Sequence, residues 1–225
     1  MWISYKSLEI LKLKININNM KALIVVDPQN DFMPGGSLAV KDGNQIVPVI
    51  NKLTKSGLFD LVIFTKDWHP SNHKSFASQH EGKNLFDVID LNGIDQVLWP
   101  DHCVQDTEGS MFHKDIDMNI PNLYIFKKGM NTEVDSYSGF LDNDHKSSTG
   151  LTEFLKEKGV YEIYILGIAG DYCVKYTAID SSSEGFDTYV IMDGVRSITD
   201  DITPVLDELR DNSVIIIDSS FILKN

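Results

Sequence analysis

Tyr164-Ile-Leu-Gly-Ile-Ala-Gly-Asp-Tyr-Cys-Val174 runs from an apolar β-rich segment through a glycine turn into the start of a helical segment. A strand that feeds a helix in this way is the repeating unit of a parallel α/β sheet. Working outward, β-rich apolar runs at 22–26, 61–65, 123–127, 162–166, 188–192 and 214–217 read as six buried strands. Helix-period segments at 45–56, 149–158, 173–183 and 202–209 lie between them, the first two closed by Gly57 and Gly159. Right-handed crossovers then place helices on both faces of a doubly wound, Rossmann-like, mostly parallel six-stranded sheet. Ligands of such sheets bind at the carboxyl ends of the strands.

The residues at those ends are polar and reactive. Asp27 follows the first run, Asp67 the second, Lys128 the third, and Cys173 opens the helix after the fourth. A thiol at a helix start is favoured as thiolate by the partial positive charge there, and the same N–H groups can receive an oxyanion. Singly, each has a plainer reading: a small buried hydrophobe for Cys173, a turn for Asp27-Pro28, a solvated strand exit for Lys128-Gly129. Together they offer a nucleophile, a base to take its proton, and a cation that favours the charged forms of both.

A second cluster lies in the weakly periodic region between 67 and 120, far longer than a connection of about 4–6 residues. Asp67-Trp-His69 and Trp99-Pro-Asp-His102 bring one carboxylate and two imidazoles, a set suited to zinc, iron or manganese. His73, His80 and His113 are expected to be exposed or to support the ligands rather than to bind.

The 225 residues suit one α/β domain, with 42% apolar content and a formal charge of −13. That sign repels nucleic acid and anionic membranes, so small polar substrates remain as partners. Two cysteines make no disulfide framework, which fits a reducing cytoplasmic setting and leaves a single bridge open. No apolar run approaches the ~20 residues that span a bilayer. Residues 1–19 read as an extension ahead of a domain at 20–225: an extra strand, an arm, or the product of an upstream start.

The ordered motifs Val26-Asp-Pro-Gln-Asn-Asp-Phe32, Asp67-Trp-His-Pro70, Ser75-Phe-Ala77, Trp99-Pro-Asp-His-Cys103, Lys128-Gly129, Asp135-Ser-Tyr-Ser-Gly-Phe140 and Gly167-Ile-Ala-Gly-Asp-Tyr-Cys-Val174 resemble the isochorismatase-like cysteine hydrolases. Within that superfamily they are most similar to the nicotinamidase/pyrazinamidase branch, from about Met20 to the C-terminus. The resemblance implies Asp27 as base, Lys128 as cation and Cys173 as nucleophile, with Ala169 and Cys173 N–H groups as the oxyanion hole. It further implies one divalent metal on Asp67, His69 and His102, whose fourth place His73 or a water could fill since relatives differ there, a ring enclosed by Phe32, Trp99 and Tyr137, and a cis peptide at Ile168-Ala169. Nicotinamide is the implied substrate, pyrazinamide a second, and a homo-oligomer an open option. A related N-carbamoyl or ureido amide hydrolase would share the triad but lack the metal cluster; a non-catalytic binding module would lose triad members. Gly170 departs from the family's usual threonine, which bears on how firmly the turn is held.

Overall fold

The computed structural model describes residues 20–224, so the reading of residues 1–19 falls outside the described chain. Among the described residues there are eight strands: β1 (Met20–Val26), β2 (Leu61–Asp67), β3 (Val88–Leu91), β4 (Ile94–Val97), β5 (Leu123–Lys128), β6 (Val160–Ile168), β7 (Asp187–Arg196) and β8 (Ile215–Ile217). Six of them form one parallel sheet in the order β5-β2-β1-β6-β7-β8. The expected runs all fall within or beside these strands, and the sheet, with helices on both faces, is the doubly wound one anticipated.

The helices are α1 (Ile46–Thr54), α2 (Leu151–Glu157), α3 (Lys175–Ser183), α4 (Thr203–Asp211) and α5 (Ser219–Leu223). Side-chain alternation along the strands builds two cores. On one face, Ala22, Ile24 and Val26 of β1 share a cluster with Leu151 and Leu155 of α2, Ala178 of α3 and Leu209 of α4. On the other, Leu23 and Val25 meet Ile46, Ile50 and Leu53 of α1, with Ile222 and Leu223 of α5 at the margin. Each fully buried aliphatic side chain contributes roughly 1.5–3 kcal/mol, so the central strands are the main source of stability.

Two elements were not anticipated. The region 67–120 contains a β3–β4 hairpin, antiparallel from Val88↔Val97 to Leu91↔Ile94, whose turn places Asn92 and Gly93 at φ 57° and 86°. Helix α5 is only a turn or so long and its pattern is too short to declare itself. Among the described residues, no helix is long and apolar enough to cross a membrane.

Chain order fixes where chemistry can sit. From β1 the chain moves outward to β2 and β5, then returns to lay β6 against the other side of β1. The crevice between the carboxyl ends of β1 and β6 is therefore a topological switch point. Asp27 leaves one strand there and Cys173 follows the other.

Candidate active site

Cys173 sits in a single wide turn, Gly170–Val174, in which Val174 N–H reaches back to Ala169 O at 3.0 Å before α3 begins. The Ile168–Ala169 peptide is cis, as the resemblance implies. Lys128, the last residue of β5, is buried and points its ammonium at three groups. Its Nζ lies 3.0 Å from Asp27 Oδ2 and 3.5 Å from Cys173 Sγ, and it donates a short hydrogen bond to Asp67 Oδ1. It also donates to Ser136 O at 2.9 Å. Carboxylate oxygens of Asp27 and Asp67 and the Cys173 sulfur all lie within 4.8 Å of one another. Four strand ends thus converge on one buried ammonium.

Asp27 itself has φ 45°, an uncommon conformation for a residue with a side chain. Thr65 secures it twice: Thr65 Oγ1 donates to Asp27 Oδ1 at 2.7 Å and accepts from Asp27 N–H at 3.2 Å. Burial raises the Asp27 carboxyl to about 6, with Lys128 pulling the other way and Asp67 adding to the rise. Burial also pushes the Cys173 thiol well above its ordinary range despite Lys128. The expectation that the helix start favours thiolate is outweighed here: in the absence of substrate the proton stays on sulfur, beside a carboxylate able to take it.

The metal-type cluster adjoins the triad through Asp67. Asp67 Oδ2 lies 3.6 Å from His69 Nε2 and 3.8 Å from His102 Nε2. Each ring's other nitrogen faces a backbone carbonyl, His69 Nδ1 to Gly129 O and His102 Nδ1 to Pro100 O, both at 2.8 Å. A carbonyl can only accept, so each Nδ1 carries a proton and Nε2 is the nitrogen left, in the neutral ring, to face a ligand beside Asp67. Burial lowers His102 to about 4, keeping it neutral; burial also pulls His69 down, but the Asp67 charge and a hydrogen bond to that carboxylate together raise it, so a metal would displace the proton His69 Nε2 shares with Asp67. Two imidazole lone pairs and one carboxylate oxygen in a buried, cation-seeking pocket fit a divalent metal of the zinc, iron or manganese kind. Gly129 is needed beside it: φ is 65°, and a Cβ there would meet the His69 ring, 2.7 Å from Nδ1.

His73 departs from the exposed alternative. It is fully buried, and its ring nitrogen, a His69 nitrogen and an Asp135 oxygen lie within 4.8 Å of one another. Its Nδ1 is 2.7 Å from Ser75 Oγ. His80 and His113 are half-buried away from the cluster.

Several residues that hold the site have no role readable from the sequence, although Gln29 and Asp31 stand within the motif at 26–32. Gln29 is fully buried; its Oε1 accepts from Asp67 N–H at 2.8 Å and its Nε2 donates to Asp67 O at 2.7 Å. The amide thus stands in for a neighbouring strand where β1 has already turned away. Asp31 Oδ2 accepts from Cys103 N–H at 2.7 Å, and His69 N–H donates to Cys103 O at 3.1 Å, which fixes the loop that carries His102. Gln96, on β4, donates to Asp135 Oδ2 and to Tyr137 Oη, both at 3.2 Å.

A cavity of about 330 Å³, partly open to solvent, reaches both centres. Phe32, Trp99 and Tyr137 line it with Leu38, Tyr172 and Ile198, and Asp67, His102, Ala169 and Cys173 supply its reactive wall. Its aromatic lining offers flat faces to a planar ring. Trp99 and Tyr172 meet edge to face at 4.8 Å, and Trp99 Nε1 donates to Tyr137 Oη at 3.2 Å. All three aromatics assigned to ring enclosure are therefore at the cavity; Asp27 and Lys128 lie buried behind its wall.

A family model for the isochorismatase domain matches residues 21–219. The nicotinamidase of Acinetobacter baylyi is 50% identical over 188 residues, covering 84% of this chain and 86% of its own. A solved Acinetobacter baumanii nicotinamidase/pyrazinamidase superimposes with TM-score 0.87 at 43% identity, over 91% of this chain and 98% of that one. A Pyrococcus horikoshii pyrazinamidase solved in complex with zinc gives TM-score 0.71 at 35% identity, over 88% and 99%. With the sheet, the strand-end cluster and the aromatic-lined cavity in agreement, the chain belongs to the isochorismatase-like superfamily, in its nicotinamidase/pyrazinamidase family.

Proposed function

We propose that this protein hydrolyses nicotinamide to nicotinate and ammonia, with pyrazinamide as a second substrate, through a thioester on Cys173. One observation carries the reading: a thiol, a carboxylate and an ammonium meet at the switch point beside an Asp-His-His cluster, behind a cavity lined by Phe32, Trp99 and Tyr137.

At neutral pH Asp27 is mostly ionised, since its carboxyl sits near 6. It takes the Cys173 proton as sulfur adds to the carboxamide carbon, and Lys128 offsets the negative charge on whichever partner holds it. N–H groups of Ala169 and Cys173 receive the oxygen's developing charge. Collapse expels ammonia, whose extra proton comes from Asp27. The same carboxylate then deprotonates a water that attacks the thioester, releasing nicotinate and returning the thiol. Phe32, Trp99 and Tyr137 hold the ring while this happens. A divalent ion on Asp67, His69 and His102, zinc by our assignment with iron or manganese as alternatives, would supply a Lewis acid to anchor and polarise the pyridine nitrogen.

The reading includes one catalytic domain at 20–225, a small-molecule rather than a macromolecular substrate, and a reducing cytoplasmic setting in which the two free cysteines stay thiols. It is tested by ammonia release from nicotinamide with the purified protein, before and after chelation, and by metal content per chain. Turnover that falls on chelation, returns with zinc, iron or manganese, and tracks bound metal is expected. Full activity without metal, on carbamoyl substrates in preference to nicotinamide, would overturn it.

A further inference from the structure

Ile198 reaches the cavity from the loop after β7, and that loop is locked to the turn that carries the nucleophile. Asp171, two residues before Cys173, accepts hydrogen bonds from the backbone N–H of Ile198 at 3.1 Å and of Thr199 at 2.9 Å. Gly170 meets the same loop from the other side. Its φ is not left-handed, so any L-residue could take up that backbone; space is what excludes one. A Cβ would overlap Ser197 Oγ and lie 2.6 Å from Val195 Cγ1. The missing side chain lets the loop close on the turn, and the Asp171 carboxylate hangs it there.

The other walls have duties fixed by the reaction. Ala169 and Cys173 face the reacting carbon, Asp67 and His102 the ion position, and Phe32, Trp99 and Tyr137 the ring. Leu38 and Ile198 are the aliphatic lining residues, and Ile198 is 39% exposed, so it stands at the mouth. We infer that Ile198, seated by Asp171 and admitted by Gly170, is a specificity-determining residue that limits substituents on the aromatic ring of the carboxamide substrate. This rests on the nicotinamidase reading. An apolar wall discriminates by overlap, and one methylene of misfit in such a pocket changes kcat/KM by about 10-fold or more.

The test is a series of nicotinamides bearing one methyl group at each free ring carbon, with kcat/KM taken relative to nicotinamide itself. Wild type should reject at least one of them, and Ile198→Ala should raise that relative value by about 10-fold. Ile198→Leu should keep the wild-type preference. Asp171→Ala, which frees the loop without altering the cavity's own side chains, should move the ratio in the same direction, chiefly through KM. Unchanged ratios in Ile198→Ala, or a wild type that accepts every methylated ring equally, would sink this inference alone. No ammonia from nicotinamide with wild type would remove the underlying activity and the inference together.

Discussion

Along β1, Ala22 to Val26 and the next residue, Asp27, are equally withdrawn from water, yet the first five bury hydrocarbon and the sixth buries a carboxyl. β2 repeats the change, from Leu61–Phe64 to Thr65, Lys66 and Asp67. In the strand bodies burial drives folding. At the rim it opposes folding: raising Asp27 from 3.8 to about 6 costs about 3 kcal/mol once it is ionised. The sign is that of an acid whose folded value is raised, so the cost is full above pH 6 and fades as pH falls to 3.8. The same removal of water thus makes a stable sheet in one place and a reactive cluster a residue further on.

If that division holds, substitutions should separate chemistry from stability. Cys173→Ala should give the largest effect, lowering ammonia release by roughly 10⁴-fold or more with a melting curve close to wild type. Activity that survived would remove the covalent step. Lys128→Met leaves two buried carboxylates facing each other without their counter-charge. It should cost about 3–5 kcal/mol in chemical denaturation as well as most of the activity, making the rim's one structural charge visible. Ile24→Ala, within β1 and three residues before Asp27, should cost roughly 2–5 kcal/mol but leave kcat/KM of the folded protein near wild type. A large kinetic loss there would erase the boundary between the two regions.

The finest test is a pH profile. Because ionised Asp27 is the base, kcat/KM should rise with pH through about 6. The Thr65 hydroxyl favours the ionised form, so Thr65→Val should move that limb to higher pH by a fraction of a unit to about one unit. A limb that stayed in place would mean another group sets it.

The strand bodies were legible because an unbroken apolar run of five or six residues has few other places to go. Asp27, Lys128 and Cys173 were legible because the parallel sheet gives one rule for where ligands bind. Their supports were not: Gln29, Asp31 and Thr65 act on partners 38 to 72 residues away, and no spacing encodes such a contact. The β3–β4 hairpin is different, since Asn92-Gly93 between two apolar-containing runs is a strong turn signal that the long loop reading passed over. The resting thiol agrees with a base that must take its proton: a helix terminus is worth a fraction of what full burial costs a charge, so Asp27 rather than the helix start makes the thiolate. His73, open in the sequence between an exposed, a supporting and a fourth-ligand role, is enclosed by folding beside His69 and Asp135.

The Gln29 amide has a consequence of its own. The sheet's main chain runs out on the β1 side before Asp67 is reached, so the final rung of that ladder is supplied by a side chain. A rung made of main chain is indifferent to mutation, whereas this one is written in a single codon. The placement of the carboxylate that both centres share is therefore heritable and adjustable apart from the rest of the scaffold.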